Sequence, residues 1–141
     1  LGDGTSLPEL KRKWGDHKQV RFAPFLPFSQ AKALIAEADV GLVSLAENLY
    51  RVAYPSKISS YLGQGIPVLV LVEPSSDLAV QIERAKLGLV ASVGDPTSVA
   101  DALRRLLEGK HSSRQYILNW VRNEATADAL LPRWIDLIDQ I

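Results

Sequence analysis

Hydrophobic residues recur along this chain with two alternating periods, about two residues in some segments and three to four in others. The clearest apolar run, Val68 to Val72, predicts a strand that is covered on both faces, as in a parallel sheet. Further strands are predicted from Gln19 to Ala23, Val40 to Leu45 and Leu89 to Ala91. Because a helical pattern follows each of these segments, the order of elements predicts an α/β fold.

The helix boundaries are predicted from residues that start or stop helices. Ser29 is predicted to cap one helix, and Pro55 to stand in the first turn of the next, where its missing N–H costs nothing. Gly65 is expected to take the left-handed conformation that ends that helix. The later helices are predicted from Leu78 to Lys86, after Asp95-Pro96 as far as Gly109, after Ser112 or Ser113, and after Thr126.

Strands that alternate with helices at these lengths predict a Rossmann-like doubly wound parallel sheet with helices on both faces, followed by closing C-terminal helices. We expect one domain over residues 1–141. Leu1 is interpreted as the end of a strand whose other residues lie upstream. Ligands of such sheets bind at the carboxyl ends of the strands, which here are followed by loops at 2–6, 24–28, 45–57, 73–77 and 92–95.

Composition removes several classes of function. The 16 basic side chains balance the 16 acidic ones, so no field of one sign favours nucleic acid or an anionic membrane. The absence of cysteine excludes disulfides and thiolate metal sites and fits a cytoplasmic location. His17 and His111 lack partners at ligand spacing, so we expect no metal site.

The segment from Tyr54 to Val72 combines a helix start, a glycine stop and a buried strand. Ser56 and Lys57 add polar groups beside the free amides of the helix start, and those amides together with the helix dipole suit a phosphate. An ordinary capped helix start is the alternative. The turn Gly2-Asp3-Gly4 lacks the third glycine of a dinucleotide fingerprint, since Leu7 stands there, and is predicted to be a loop at the rim of the sheet.

Five motifs in order and spacing resemble the C-terminal domain of the group 1 glycosyltransferases, over about residues 1 to 110. They are Gly2-Asp3-Gly4, Val20-Arg21-Phe22, Ala38-Asp39-Val40-Gly41-Leu42, Pro55-Ser56-Lys57 through Gly65-Ile66-Pro67-Val68, and Gly88-Leu89-Val90. The resemblance implies one half of a GT-B fold, whose C-terminal domain holds the nucleotide-sugar donor and whose N-terminal domain holds the acceptor.

The resemblance also implies an activity. The full-length protein would be a retaining hexosyltransferase that uses an NDP-sugar as substrate in polysaccharide or glycoconjugate synthesis, without a metal or other cofactor. This fragment alone would be inactive. Its partners would be the nucleotide sugar and its own N-terminal domain, absent here, and any peripheral membrane contact would involve only the missing parts.

The family's glycine-rich contact to the sugar and phosphates corresponds to Ala53-Tyr54-Pro55, where the amides of Ala53, Tyr54 and Ser56 remain available and Lys57 adds charge. Pro55 offers no amide.

Two glutamates of the family's donor motif correspond to Val52 and Ser60, so neither carboxylate is present. Ser60 could give one hydrogen bond to a ribose hydroxyl, weaker than one from a carboxylate. Phe25, with its neighbours Pro24 and Leu26, could present backbone groups to the base, or it could be a core or interdomain residue. No catalytic residue is assigned. The expected donor-binding residues are Gly2, Gly4, Phe25, Ala53, Tyr54, Ser56, Lys57 and Ser60.

Other interpretations of the chain stay open. An NDP-sugar epimerase would need further acid and base groups, and a non-catalytic α/β interaction or regulatory module would need no donor site. The C-terminal helices carry a surplus of apolar residues, including Trp120 and Trp134. We expect part of this surface to be exposed, or covered by a second copy in a homodimer, and the alternative is packing within one domain.

Overall fold

The computed structural model describes residues 2–47 and 49–140, so the strand end predicted at Leu1 lies outside the described residues. The helices are α1 (Leu7–Trp14), α2 (Phe28–Ala36), α3 (Lys57–Leu62), α4 (Asp77–Arg84), α5 (Pro96–Leu107), α6 (Arg114–Glu124) and α7 (Ala127–Ile138), with a short 3-10 helix at Leu49–Arg51. The strands are β1 (Gly41–Ser44), β2 (Val68–Leu71) and β3 (Gly88–Ala91).

The chain forms two compact units, a first unit that ends at Leu34 and a second unit that begins at Ile35. The three strands found among the described residues belong to the second unit, where they form a parallel sheet in the order β1-β2-β3. Three of the predicted strands are confirmed, and so is the α/β class. The register pairs Gly41 with Val68 and Val68 with Gly88, so that each strand lies beside the one that precedes it in the chain.

Helices pack on both faces of this sheet, because β2 is apolar at every position. On one face Val68, Val70 and Val72 pack with buried residues of α3, α4 and α6. On the other face Leu69 and the half-buried Leu71 pack with α5. A strand that is apolar on both sides is typical of the centre of a parallel sheet, and β2 is the central strand here.

The strand predicted from Gln19 to Ala23 is wrong. The amide of Val20 donates instead to the carbonyl of His17 at 2.9 Å, which closes a turn. The amide of Gly2 donates to the carbonyl of Ala23 at 3.1 Å, a single bond between two segments that are not strands in the described structure. A strand needs a repeating ladder of such bonds, and alternating side chains alone do not provide it.

Two predicted helix starts are displaced. Ser29 is not a cap, because α2 begins at Phe28 and the amide of Ala31 already donates to the carbonyl of Pro27 at 2.9 Å. Pro55 does not lie inside the first turn of α3, which begins at Lys57. The carbonyl of Pro55 accepts instead from the amide of Ile58 at 3.1 Å, closing a turn just before the helix.

The starts of α5, α6 and α7 follow the sequence signals. The Asp95 carboxylate accepts from the amides of Thr97 at 3.0 Å and Ser98 at 3.1 Å at the start of α5. The hydroxyls of Ser113 and Thr126 cap α6 and α7 in the same way. Gly65 has a φ of +71°, which confirms the left-handed conformation predicted for it, but α3 already ends at Leu62 with Gly63 at its C-cap, so the prediction that Gly65 ends this helix is wrong.

Helix α7 has no buried residue among those described. Its side chains Leu131, Trp134, Ile135 and Ile138 are each more than half exposed, whereas Trp120 of α6 packs against the core. The prediction that part of the C-terminal apolar surface is exposed is therefore confirmed. A second copy that covers it stays a prediction.

Candidate functional site

The candidate site of the second unit lies at the carboxyl edge of the sheet. The chain leaves β1 at Ser44, passes through the short 3-10 helix and reaches α3, which contacts both β1 and β2. Because α3 returns the chain to the amino end of β2, its own first residue lies at the edge where β1 ends. The turn from Tyr54 to Lys57, here called the rim turn, therefore stands where ligands of parallel sheets bind.

The backbone amides of this region differ in their hydrogen bonds. The amide of Ala53 donates to the carbonyl of Leu49 at 3.0 Å, so the prediction that it remains available for a ligand is wrong. The 3-10 helix is the cause, since its last turn uses that N–H. The amides of Tyr54 and Ser56 make no hydrogen bond to the part of the chain that the structure describes. Two backbone donors of the rim turn thus face no protein acceptor there.

Tyr54 contributes a side chain as well as an amide. Its hydroxyl donates to Oε1 of Gln81 in α4 at 3.1 Å, and partial burial raises the pKa of the phenol above its usual value near 10. The bond ties the rim turn to α4 although the two residues are 27 positions apart. Sequence reasoning used only the backbone of Tyr54 and missed Gln81, since no local pattern reports a contact at that separation.

The polar side chains of the predicted set flank the rim turn. Ser56 and Lys57 are exposed, and Lys57 makes no ion pair with the residues that the structure describes. Ser60 is half-buried one turn further along α3. Val52, at the other position where the resemblance expects a glutamate, is 83% exposed. The two positions of the missing carboxylates are thus occupied by Val52 and Ser60. The side chain of Val52 accepts no hydrogen bond, and the hydroxyl of Ser60 accepts a weaker one than a carboxylate would.

The neighbouring strand end carries a buried polar residue that sequence reasoning missed. Ser76 is fully buried, and its hydroxyl accepts from the amide of Ala79 at 3.2 Å at the start of α4. Asp77 follows it as an exposed acidic residue, and the half-buried Glu73 stands two residues after the end of β2. The signal available in the sequence was the serine two residues before the apolar positions of α4, a typical capping residue.

The remaining predicted residues belong to the first unit. Gly2 and Gly4 line a cavity of about 320 Å³ together with apolar side chains that include Leu7, Leu10 and Phe22. Gly2 has a φ of +134°, which side-chain-bearing residues rarely adopt, although the turn in this segment is at Thr5 and Ser6 and not at residues 2–4 as predicted. Phe25 is 73% exposed, so within the first unit it is not a core residue.

The described residues also limit the classes of site. No three histidine, aspartate or glutamate side chains among residues 2–47 and 49–140 lie together in a way that could hold a metal ion. In the same part of the chain, every helix is too short or too polar to cross a lipid bilayer.

Comparison with known proteins gives one curated relative. The chain is 24% identical over 110 residues to a protein of Pseudomonas aeruginosa described as "Probable glycosyltransferase WbjE". The match covers 77% of this chain but 28% of that protein, so the chain spans well under two thirds of its relative's length. No protein-family profile matches the chain. No solved structure matches it either.

Proposed function

We propose that this chain is the nucleotide-sugar-binding domain of a glycosyltransferase with two Rossmann-like domains, which transfers a hexosyl group from an NDP-sugar to an acceptor in polysaccharide or glycoconjugate synthesis. The proposal extends the likeness to the relative named as a probable glycosyltransferase, and it takes the parallel sheet of the second unit as part of a doubly wound GT-B half. The acceptor-binding domain, the cytoplasmic location and any peripheral membrane contact belong to the same proposal.

The observation that carries the proposal is the rim turn. Two amides there, those of Tyr54 and Ser56, have no acceptor in the described part of the chain, and the ammonium group of Lys57 is exposed beside them. Backbone N–H groups beside a positive charge at the carboxyl edge of a parallel sheet suit the oxygens of a phosphate. Helix α3 has only six residues, so we assign most of the attraction to the amides and Lys57 rather than to the helix dipole.

The proposed chemistry is electrostatic. As the bond between sugar and diphosphate breaks, negative charge grows on the leaving phosphate, and fixed N–H donors with a nearby ammonium group would stabilise that charge. Ser60 would donate to or accept from a ribose hydroxyl. Gly2, Gly4 and Phe25 lie in the first unit, and their donor-binding roles stay predictions. No residue of this chain is proposed as an acid, a base or a nucleophile.

Calorimetric titration of the chain with UDP, GDP and ADP tests the proposal. Lys57→Ala should weaken binding of the preferred diphosphate about fivefold, which corresponds to the roughly 1 kcal/mol of an exposed charge contact. Ser60→Ala should weaken UDP or GDP binding less, through one neutral hydrogen bond. Lys32→Ala is the matched control, because Lys32 is also an exposed helical lysine but lies in α2.

The proposal predicts that Lys57→Ala loses affinity while Lys32→Ala keeps it. Equal effects of the two substitutions would mean that the diphosphate is attracted by overall charge and not by the rim turn. Absence of binding for all three nucleotides at millimolar concentration would refute the donor site in this chain and favour the non-catalytic module.

A further inference from the structure

Helices α4 and α6 line an open groove of about 590 Å³ in the second unit. No residue of the rim turn is part of its lining. Its polar and aromatic lining consists of Asp77, Gln81 and Arg84 from α4, and Tyr116, Trp120 and Glu124 from α6. The positions on each helix follow one another by three or four residues, so each set forms a single stripe. At 1.5 Å per residue the two stripes are about 11 Å long, the length of a short extended ligand.

The direction of the helices fixes the two ends of the groove. The hydroxyl of Tyr116, near the start of α6, donates to the carbonyl of Ala85, which follows the end of α4, at 3.2 Å. Because Asp77 and Glu124, at the far ends of the two stripes, line the same groove, the two helices run in opposite directions, and these two residues lie toward its other end. Midway along α4, Gln81 holds the hydroxyl of Tyr54. The groove thus runs beside the rim turn without including its free amides.

The lining combines aromatic surface with planar polar groups. Trp120 is half-buried and packs against the core, and Tyr116 is fixed by its hydrogen bond, so both rings have restricted positions. Asp77, Gln81 and Arg84 are exposed along the opposite wall. A pyranose ring is amphipathic in the same way, because its C–H groups pack on aromatic surface while its hydroxyls need donors and acceptors at the edge. Such a mixture of apolar contact and a few placed polar groups is typical of small-molecule sites.

The charges of the groove favour a neutral ligand. Arg84 opposes Asp77 in sign, and the Glu124 carboxylate accepts from the Arg133 guanidinium at 2.8 Å, so its charge is already compensated. A nucleic acid or polyanion would need an excess of basic residues, which this lining lacks. A docked protein helix would need a predominantly apolar groove, whereas Asp77, Gln81, Arg84 and Glu124 make up half of the eight lining residues, which also include Val80 and Ala85.

We propose that the α4–α6 groove binds a neutral oligosaccharide, with Trp120 and Tyr116 as the ring platform and with Asp77, Gln81 and Arg84 as hydrogen-bonding partners of the hydroxyls. The choice of a saccharide rests on the proposed function, since a protein that transfers sugars meets an acceptor or product glycan. This site is separate from the donor site at the rim turn.

Saturation-transfer NMR of the 141-residue chain with maltotriose and with N,N′,N″-triacetylchitotriose tests the proposal without any nucleotide present. Amide shift changes on titration should cluster in α4 and α6. Arg84→Gln, at an exposed position, should weaken binding about fivefold. Trp120→Ala should weaken it about three- to tenfold through the lost ring contact, with circular dichroism used to check that the variant is folded.

Two control variants are available within the chain. Trp134→Ala removes an exposed tryptophan of α7, and Arg105→Gln changes an exposed arginine of α5 on the other face of the sheet, so both should leave saccharide binding within about twofold of the unsubstituted chain. Binding that is lost in Arg84→Gln and kept in Arg105→Gln supports the groove even if Trp120→Ala is unfolded.

Several results would overturn the saccharide site. They are no saturation transfer from either trisaccharide at millimolar concentration, shift changes confined to residues outside α4 and α6, or equal losses in Arg84→Gln and Arg105→Gln. Failure of the donor site would be recognised separately, because it is measured with nucleotide diphosphates and with Lys57→Ala. Binding of a trisaccharide without binding of any nucleotide would support the saccharide site in the α4–α6 groove and refute the proposed donor site at the rim turn.

Discussion

Replacing Gly65 by alanine should destabilise the chain through two separate effects. Gly65 has a φ of +71°, in the left-handed region that residues with a Cβ disfavour. An added Cβ would also meet α6, within 3.0 Å of the Arg114 carbonyl oxygen and of Cγ of Leu118, and closer still to the Arg114 side chain. The glycine therefore serves both the turn before β2 and the close approach of α6.

The loss of stability in Gly65→Ala can be divided into a conformational part and a steric part, because the chain contains a second glycine in the same conformation. Gly109, after α5, has a φ of +76°, but an added Cβ there would meet no atom within 4 Å. Gly109→Ala should therefore cost only the conformational penalty, about 1–2 kcal/mol. Gly65→Ala should cost that penalty and about 1–3 kcal/mol more, because the backbone carbonyl of Arg114 cannot move as a flexible side chain could.

Equilibrium unfolding in urea, followed by far-ultraviolet circular dichroism, measures both free energies of unfolding. The denaturant midpoint should fall more for Gly65→Ala than for Gly109→Ala, with unchanged m-values for both. Equal losses in the two variants would show that α6 yields to the added methyl group at no cost. A larger loss at Gly109 would contradict the reasoning altogether.

The remaining predictions concern Ser76 and Tyr54. Ser76→Ala should lower the free energy of unfolding by about 1–2 kcal/mol in the same urea assay, because it leaves the buried amide of Ala79 without its acceptor, whereas Ser75→Ala, at the exposed neighbouring position, should change it by less than about 0.5 kcal/mol. Tyr54 has a raised pKa because burial favours the neutral phenol, so its contribution to stability is present below the unfolded pKa near 10 and is lost as the pH rises through the folded pKa. Tyr54→Phe should reduce the alkaline loss of stability, and an identical pH profile for the variant and the unsubstituted chain would exclude this linkage.

Much of the second unit could be predicted from the sequence because its signals are local. The apolar run at Val68 to Val72 predicts a strand that is buried on both faces. Asp95 before Pro96 predicts a helix start, and the structure contains the corresponding hydrogen bonds from the amides of Thr97 and Ser98 to the Asp95 carboxylate. The left-handed conformation of Gly65 was predicted from an expected role at the end of α3, a position that Gly63 takes instead. The contact of Gly65 with α6 joins residues about fifty positions apart and has no local pattern.

The errors concern features that depend on distant partners. Val20 and Phe22 alternate as strand residues do, but a strand also needs a neighbour, and the amide of Val20 closes a turn instead. The amide of Ala53 was expected to be free because the short 3-10 helix that uses it was not predicted. The bond from Tyr54 to Gln81, which connects the rim turn to the α4–α6 groove, was likewise beyond local reasoning.

The order of the strands has a consequence for how the chain acquires its structure. Each strand pairs with the one before it, so both pairings close shorter loops than a pairing of β1 with β3 would, which lowers the contact order of this parallel sheet. The exception is α6, whose Ile117 is fully buried against the face that α3 and α4 cover earlier in the chain. During synthesis the part of that face that Ile117 covers would stay exposed to water until residue 117 leaves the ribosome, and hydrophobic surface exposed in that interval is prone to aggregation.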